Sequence, residues 1–375
     1  MGTPRAPSPR ARPPGASPAT LGDLASGREN NLDLIRFVAA SLVVLAHAYP
    51  TAYGSDRWEP LFRLTGTTTL GRLAVMTFFV ISGFLITASF ERSRDALDFT
   101  LARVLRIFPA LVVVTVLTCF VFGPALTTLD LGSYLQASRV YGSLVWTPIW
   151  PMHDLGLPGV LESGVAYPRT INASLWTIPY ELLCYLLVLV LGLVRQLRPW
   201  VVVSLLVASW YPHLYGVTGD VTPFHLGPQL ADLFRYFAAG MLLYLWRDRI
   251  PMSGRGAALC LGLLVLAATE HAPLGFNEAF ALVGPYLILY AGYTRKLRFP
   301  HFARHGDFSY GIYIFAFPIE QAVAKLVGPG VRAWQIAAFS YPLILVCAVA
   351  SWHFVEARSM RLRKRLRPGT VIPGR

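Results

Sequence analysis

Charge is what this chain of 375 residues has least of. Charged residues make up 14% of it, where a soluble globular chain carries roughly 25%. That shortfall excludes an ordinary soluble enzyme. The apolar share of 54% excludes disorder over most of the length, because disordered chains lack the apolar residues that build a core. Cysteine is sparse as well. Cys119, Cys184, Cys260 and Cys347 each sit inside an apolar run with no CxxC pair, so neither a disulfide framework nor a zinc site is expected. Lysine supplies only three of the 33 basic residues, a bias given no functional weight. No internal repeat is visible, which weakens the duplicated-half pattern of many transporters.

What is present is a series of long apolar runs. Ten stretches approach the roughly 20 residues of a membrane helix: 32–52, 72–90, 104–123, 173–194, 199–215, 231–246, 257–272, 276–294, 308–328 and 334–355. Three of them (199–215, 231–246 and 257–272) are short enough to be tilted or partly re-entrant. The expected fold is an all-α polytopic membrane protein of about ten transmembrane helices. Residues 1–30 read as a disordered tail rich in Pro, Ala, Arg and Ser, residues 31–357 as one transmembrane domain, and residues 358–375 as a basic tail. The longest loop, 124–172, is rich in Gly, Pro and aromatics and is expected to cap the outer face.

A net charge of +13 invites a nucleic-acid reading, but its distribution argues against one. With the N-terminus placed in the cytoplasm, 24 of the 33 Lys and Arg fall on the inner side. That is the positive-inside pattern, with both termini cytoplasmic and the chain multi-pass in the cytoplasmic membrane. The run RSMRLRKRLR at 358–367 then reads as a clamp on anionic membrane lipid.

Ionisable residues inside spans are costly and mark functional candidates. Here they are Arg36, His47, Glu181 and Glu320. Arg36 and His47 are eleven residues apart, which at about 100° per residue puts them roughly 20° from alignment and about 16 Å apart along one helix face. An Arg near the inner mouth suits an anionic group. A deep His suits proton transfer or nucleophilic attack. Glu181 follows Pro179, which is expected to interrupt its helix. If that span enters from the outer surface, Glu181 lies at the depth of His47 and orients it as in a catalytic dyad. Glu320 reads as structural or as part of a pore mouth, and Glu356 as a local helix-end partner. Ser82-Gly83 permits close helix approach. Arg103 and Arg106, one helical turn apart, suit phosphate binding or inner-face anchoring.

Taken in order, NLDLIRFVAASLVVLAHA, FFVISGFLIT, RVLRIFP, SLWTIPYELLCY, FSYGIYIFAFP and HFVEARSM resemble the membrane acyltransferase-3 family over residues 32 to 360. The resemblance implies transfer of an acyl group, often acetyl, from cytoplasmic acyl-CoA to a hydroxyl of a glycan, a lipid-linked sugar or a secondary metabolite. It makes Arg36 and His47 the central residues, Arg103 and Arg106 the family's Arg pair, and Trp176, Thr177 and Glu181 its Trp-Ser/Thr…Glu element. It also carries over Phe308 to Tyr313, with Tyr310 and Ser82 as substrate-binding candidates. Many members carry a His where this chain has Ala316, and some append an esterase-like domain not expected here.

The combined expectation is that CoA phosphates dock on Arg36, Arg103 or Arg106 and that His47, oriented by Glu181, acts as general base. In a second version His47 is itself acylated and passes the group outward. Acyl-CoA is a co-substrate, and no resident cofactor, metal or nucleic-acid partner is expected. A carbohydrate or glycolipid acceptor would meet Tyr141, Trp146, Trp150 and Tyr167 of the outer loop, together with the segment 212–230. The rival reading is a transporter or flippase of polar or lipid-linked sugars.

Overall fold

The apolar runs fold as helices because a backbone surrounded by apolar side chains has to satisfy its own N–H and C=O groups. The computed structural model describes residues 19–27, 29–149, 156–215, 227–269, 274–294, 298–299 and 302–366. Among these no strand occurs, only two isolated bridges. Ten helices stand where ten spans are predicted: α1 Leu32–Tyr53, α2 Leu70–Ser93, α3 Ala96–Leu117, α4 Ile178–Leu193, α5 Pro199–Ala208, α6 Gly227–Leu245, α7 Gly254–Ala267, α8 Phe276–Tyr293, α9 Ser309–Val327 and α10 Ala333–Ser351. Five segments are long and apolar enough to cross a membrane: Leu32–Tyr53, Leu70–Ser93, Ala96–Leu126, Ala173–Leu193 and Ala333–Arg363. The ten residues of α5 rise only about 15 Å, half of a bilayer core.

Helix α1 is flanked by α2, α9 and α10, and α2 by α6. Helices α1 and α9 run in the same direction, since Arg36 meets Asp307 just before α9 and His47 meets Glu320 further along it. One end of the bundle therefore carries Arg36 and the other carries His47. Helices α2 and α6 also run together, and their backbones touch. A Cβ added at Gly83 would fall on the Phe237 carbonyl oxygen, and one at Gly240 on that of Val80. This is the close approach that Ser82-Gly83 predicts.

Three parts depart from the sequence reading. Residues 19–27 are not a loose tail. Leu21–Ala25 is a helical turn capped by Thr20, with Leu21 fully buried and its N–H donating to Ile250 O at 2.9 Å. Pro179 does not break a helix; it opens one, standing in the first turn of α4 after the 3-10 turn Ala173–Thr177. Basic residues 358–366 form part of a helix, Ala357–Leu366, which packs on α3. Arg363 donates to both oxygens of the buried Asp98 (2.8 and 2.5 Å).

The long loop 124–172 reaches the His47 end of the bundle. Its segment 156–172 is strapped to α9: Gln321 donates to the carbonyls of Tyr167 and Thr170 (2.7 and 2.8 Å), and Lys325 to that of Ser163 (2.8 Å).

The α2–α6 crossing yields a stability test. Gly→Ala inside a helix normally adds roughly 1 kcal/mol. Gly83→Ala is expected to do the opposite and lower the melting temperature of the detergent-purified protein, because the added methyl meets rigid backbone. Gly262→Ala in α7, where nothing lies within 4 Å of the added Cβ, is expected to hold or raise it. Equal effects at both positions would contradict the close crossing.

Candidate functional site

The Arg36 end is built from paired charges. Arg36 Nη1 lies 2.6 Å from Asp307 Oδ2, and Arg106 Nη2 lies 2.7 Å from the same oxygen. Arg106 also bonds Glu356 through Nη1, and Ser351 Oγ donates to the other Glu356 oxygen at 2.9 Å. Glu356 is thus more than a local partner for Arg358. It reaches Arg106 because Trp352–Glu356 forms a π-turn that closes α10. Trp352 stacks under the same guanidinium, 5.6 Å from its carbon. Asp307 is the hub of this chain. Burial alone would raise its pKa, but the Arg36 and Arg106 charges and two hydrogen bonds from Ser309 hold it well below the usual carboxylate range. The carboxylate stays ionised through the physiological pH range, so Arg36 and Arg106 stay bridged.

Between these charges and the centre of the bundle lies a cavity of about 520 Å³. That is within the roughly 300–1,000 Å³ typical of small-molecule sites. Arg36 of α1 and Arg103 and Arg106 of α3 line it together with Ser82, Glu181, Tyr185 and Tyr310, and Arg361 and Arg363 border it from the C-terminal helix. Two of the three predicted arginines are already matched by carboxylates. Among the described residues no carboxylate pairs with Arg103; its guanidinium faces the rings of Phe99 and Tyr185, each 5.9 Å away, and its Nε is buried without a partner. Arg103 is therefore the guanidinium best free to take an anion.

The structure separates two residues that the sequence pairs. Glu181 does not face His47. It accepts hydrogen bonds from Ser82 Oγ (3.2 Å) and from Tyr185 OH, inside the cavity. The cause is where α4 begins. The chain enters along α9 before it becomes helical: Tyr167 and Thr170 are tied at the level of Gln321, and Asn172 donates to Ile314 O at 3.0 Å. Thr177 then bonds Tyr313 (2.7 Å). Helix α4 thus starts part-way through the bundle, and Glu181 lies a turn further toward Arg36. The seven residues from Tyr313 to Glu320 span roughly 10 Å of helix, which keeps Glu181 well away from His47.

The carboxylate beside His47 is Glu320, which the sequence reading assigned to structure or a pore mouth. Its Oε2 is 3.6 Å from His47 Nδ1, longer than a hydrogen bond. Glu320 is fully buried, and both its oxygens, like His47 Nδ1, lack a hydrogen-bond partner in this state. The His47 ring packs edge-on against Phe317 (5.1 Å between centroids), which in turn meets Tyr167 (5.7 Å). An unsatisfied buried acid beside an imidazole is a costly arrangement in a structural core, and it suits proton handling. The sequence signal for it is the parallel spacing: Arg36 to His47 is eleven residues, and Asp307 to Glu320 is thirteen.

Of the remaining candidates, Ser82 and Tyr310 reach the cavity, the latter with its OH donating to Ile107 O (3.0 Å). Thr177 lies between cavity and His47, with Phe78 against Tyr313 (6.0 Å). Trp176 stands apart, half-exposed against Tyr180. Tyr141 and Trp146 are exposed on the helix Ser138–Ile149, whereas Tyr167 meets Phe317, the ring that packs on His47. Trp150 and residues 216–226 of the segment 212–230 lie outside the described residues.

Comparison with known proteins shows the family of the chain. The family described as an acyltransferase domain matches residues 29–353. An O-acetyl transferase of Shigella phage Sf6 is 29% identical, over 88% of this chain and 96% of the phage protein. Nodulation protein 10 of Rhizobium leguminosarum bv. viciae is 30% identical, over 91% and 96%. The exopolysaccharide production protein ExoZ of Rhizobium meliloti is 28% identical, over 82% and 95%. No solved structure matches. With the family match spanning α1 to α10 and relatives aligned nearly end to end, the chain belongs to the membrane acyltransferase-3 family.

Proposed function

We propose that this protein is a multi-pass O-acyltransferase of the cytoplasmic membrane. It moves an acyl group, acetyl by analogy with the phage relative, from acyl-CoA to a hydroxyl of a carbohydrate-type acceptor. The observation that carries this reading is the cavity at the Arg36 end. It offers an unmatched guanidinium at Arg103 for phosphate, and it is lined by Arg36 of α1, the helix that also carries His47. The relatives whose names mention O-acetyl transfer and exopolysaccharide production support the acyl group and the acceptor class. The positive-inside count supports placing the Arg36 end and both termini in the cytoplasm.

In this reading the CoA phosphates sit among Arg103 and its neighbours and the pantetheine arm extends toward His47. The distance from Arg36 to His47, about 16 Å along the helix, suits such an arm. The arm has to pass the layer of Thr177, Tyr313 and Phe78, so transfer requires the Thr177–Tyr313 hydrogen bond to open. His47 takes the proton of the acceptor hydroxyl as its oxygen attacks the thioester carbon. The C–O bond forms, the C–S bond breaks, and the departing thiolate is protonated to free CoA. Glu320, close to Nδ1, steadies the imidazolium formed in between. The two-step version, with the acyl group resting on a His47 nitrogen before it meets the acceptor, uses the same residues.

Two outcomes test the assignment in purified protein supplied with acetyl-CoA and native-membrane acceptor extract. His47→Ala is expected to abolish acceptor-dependent CoA release while acetyl-CoA still binds. Equal release by both proteins would remove His47 from the chemistry, and absence of acetyl-CoA binding by the wild type would return the transporter reading. The two carboxylates are expected to separate. Glu320→Gln should lower kcat by roughly 100-fold, the lower end of what acid–base assistance supplies, with KM for acetyl-CoA little changed. Glu181→Gln should act mainly on KM, because its partners line the cavity. The reverse pattern would restore Glu181 as the partner of His47.

A further inference from the structure

The matched family region ends at residue 353, but the cavity wall does not. Met360, Arg361 and Arg363, on the helix that follows, border the same space as Arg36, Arg103 and Arg106. This helix is held in place from two sides. The π-turn Trp352–Glu356 is fixed by the Glu356–Arg106 ion pair, and the helix itself is anchored by the two-pronged Arg363–Asp98 pair on α3. Asp98 is buried and lies five residues before Arg103, so the anchor also brings the helix up to the unmatched guanidinium of α3.

The charges around the opening are unevenly matched. Arg36 and Arg106 answer Asp307 and Glu356, and Arg363 answers Asp98. Arg361 is exposed and spends only its Nε, which donates to Ala357 O at 3.2 Å. Among the described residues no carboxylate pairs with it. Arg103 and Arg361 therefore present to one cavity, which Glu181 also lines, two guanidiniums that no carboxylate among the described residues pairs, one part-buried and one exposed. A ligand with separated anionic groups satisfies both. A lipid clamp needs basic side chains on the bilayer-facing side of the helix, and does not call for one that lines a cavity shared with Ser82 and Glu181.

We propose that the C-terminal helix is part of the donor site and that Arg361, acting with Arg103, binds the phosphate groups at the nucleotide end of acyl-CoA. This rests on the acyl-CoA reading above. It makes the segment beyond the matched family region a determinant of donor affinity, and it makes the nucleotide end of the donor the part recognised at the rim.

The test uses the full chain purified in detergent, with acetyl-CoA and acetyl-dephospho-CoA, which lacks the ribose phosphate, as titrants. Arg361→Ala is expected to weaken acetyl-CoA binding roughly tenfold, the scale of one charge-assisted contact, and Arg361→Lys to recover part of the loss. If the ribose phosphate is the group held, wild type will prefer acetyl-CoA over the dephospho form and Arg361→Ala will lose that preference. If the diphosphate is held, both donors will weaken alike. Wild-type affinity in Arg361→Ala for both donors would overturn the proposal. So would a loss seen only in vesicles containing anionic lipid and absent in detergent, which would mark the helix as a membrane anchor. Failure of the wild type to bind either donor would instead overturn the acyl-CoA reading itself.

Discussion

The bundle is organised around the need to match charges where water is scarce. A guanidinium or carboxylate inside an apolar helix bundle is costly unless a counter-charge and further hydrogen bonds meet it. Asp307 answers that need for two arginines at once, and Glu356 takes the second contact of one of them. Because these residues belong to α1, α3, the start of α9 and the end of α10, the ion-pair chain fixes four elements together. It also fixes the parallel course of α1 and α9. Once Arg36 is tied to Asp307, two helices of equal rise bring His47 and Glu320 to the same depth.

That arrangement divides the interior into two chemical regions. Near the Arg36 end, guanidiniums and hydroxyl groups line an open cavity. Near the other end, an imidazole and a buried carboxylate face each other beneath the strapped loop 156–172. The late start of α4 creates the division. Its Thr177 meets Tyr313 between the two regions, and its Glu181 is drawn into the first. In the transfer proposed above this separation has a use. The donor's charged end and the acceptor meet different surroundings, and only the acyl group needs to reach both.

The described segments nearest the two ends, 19–27 and 357–366, gain structure from the same bundle. Leu21 is buried against the connection after α6, and Arg363 is locked on Asp98. Both lie in stretches whose composition looks tail-like. A short amphipathic or basic stretch has little local preference for order, and its conformation comes from the surface it meets.

Local sequence determined the positions of all ten helices, since an apolar run in this composition can hide its backbone only as helix. It also determined that Arg36 and His47 share a face, that Gly83 sits at a close crossing, and that Arg103 and Arg106 share a helix turn. Each depends on spacing within one helix. Tertiary structure alone decided which carboxylate meets His47. Depth along a bundle depends on where each helix starts relative to its neighbours, and for α4 that start is set by contacts of Gln321 and Ile314 on another helix, far away in sequence. The same holds for Arg36 and Arg106, whose role as bridged charges follows from an Asp307 more than 200 residues away. Helical period reports the face a residue occupies. Only packing between helices reports the neighbour that face will meet.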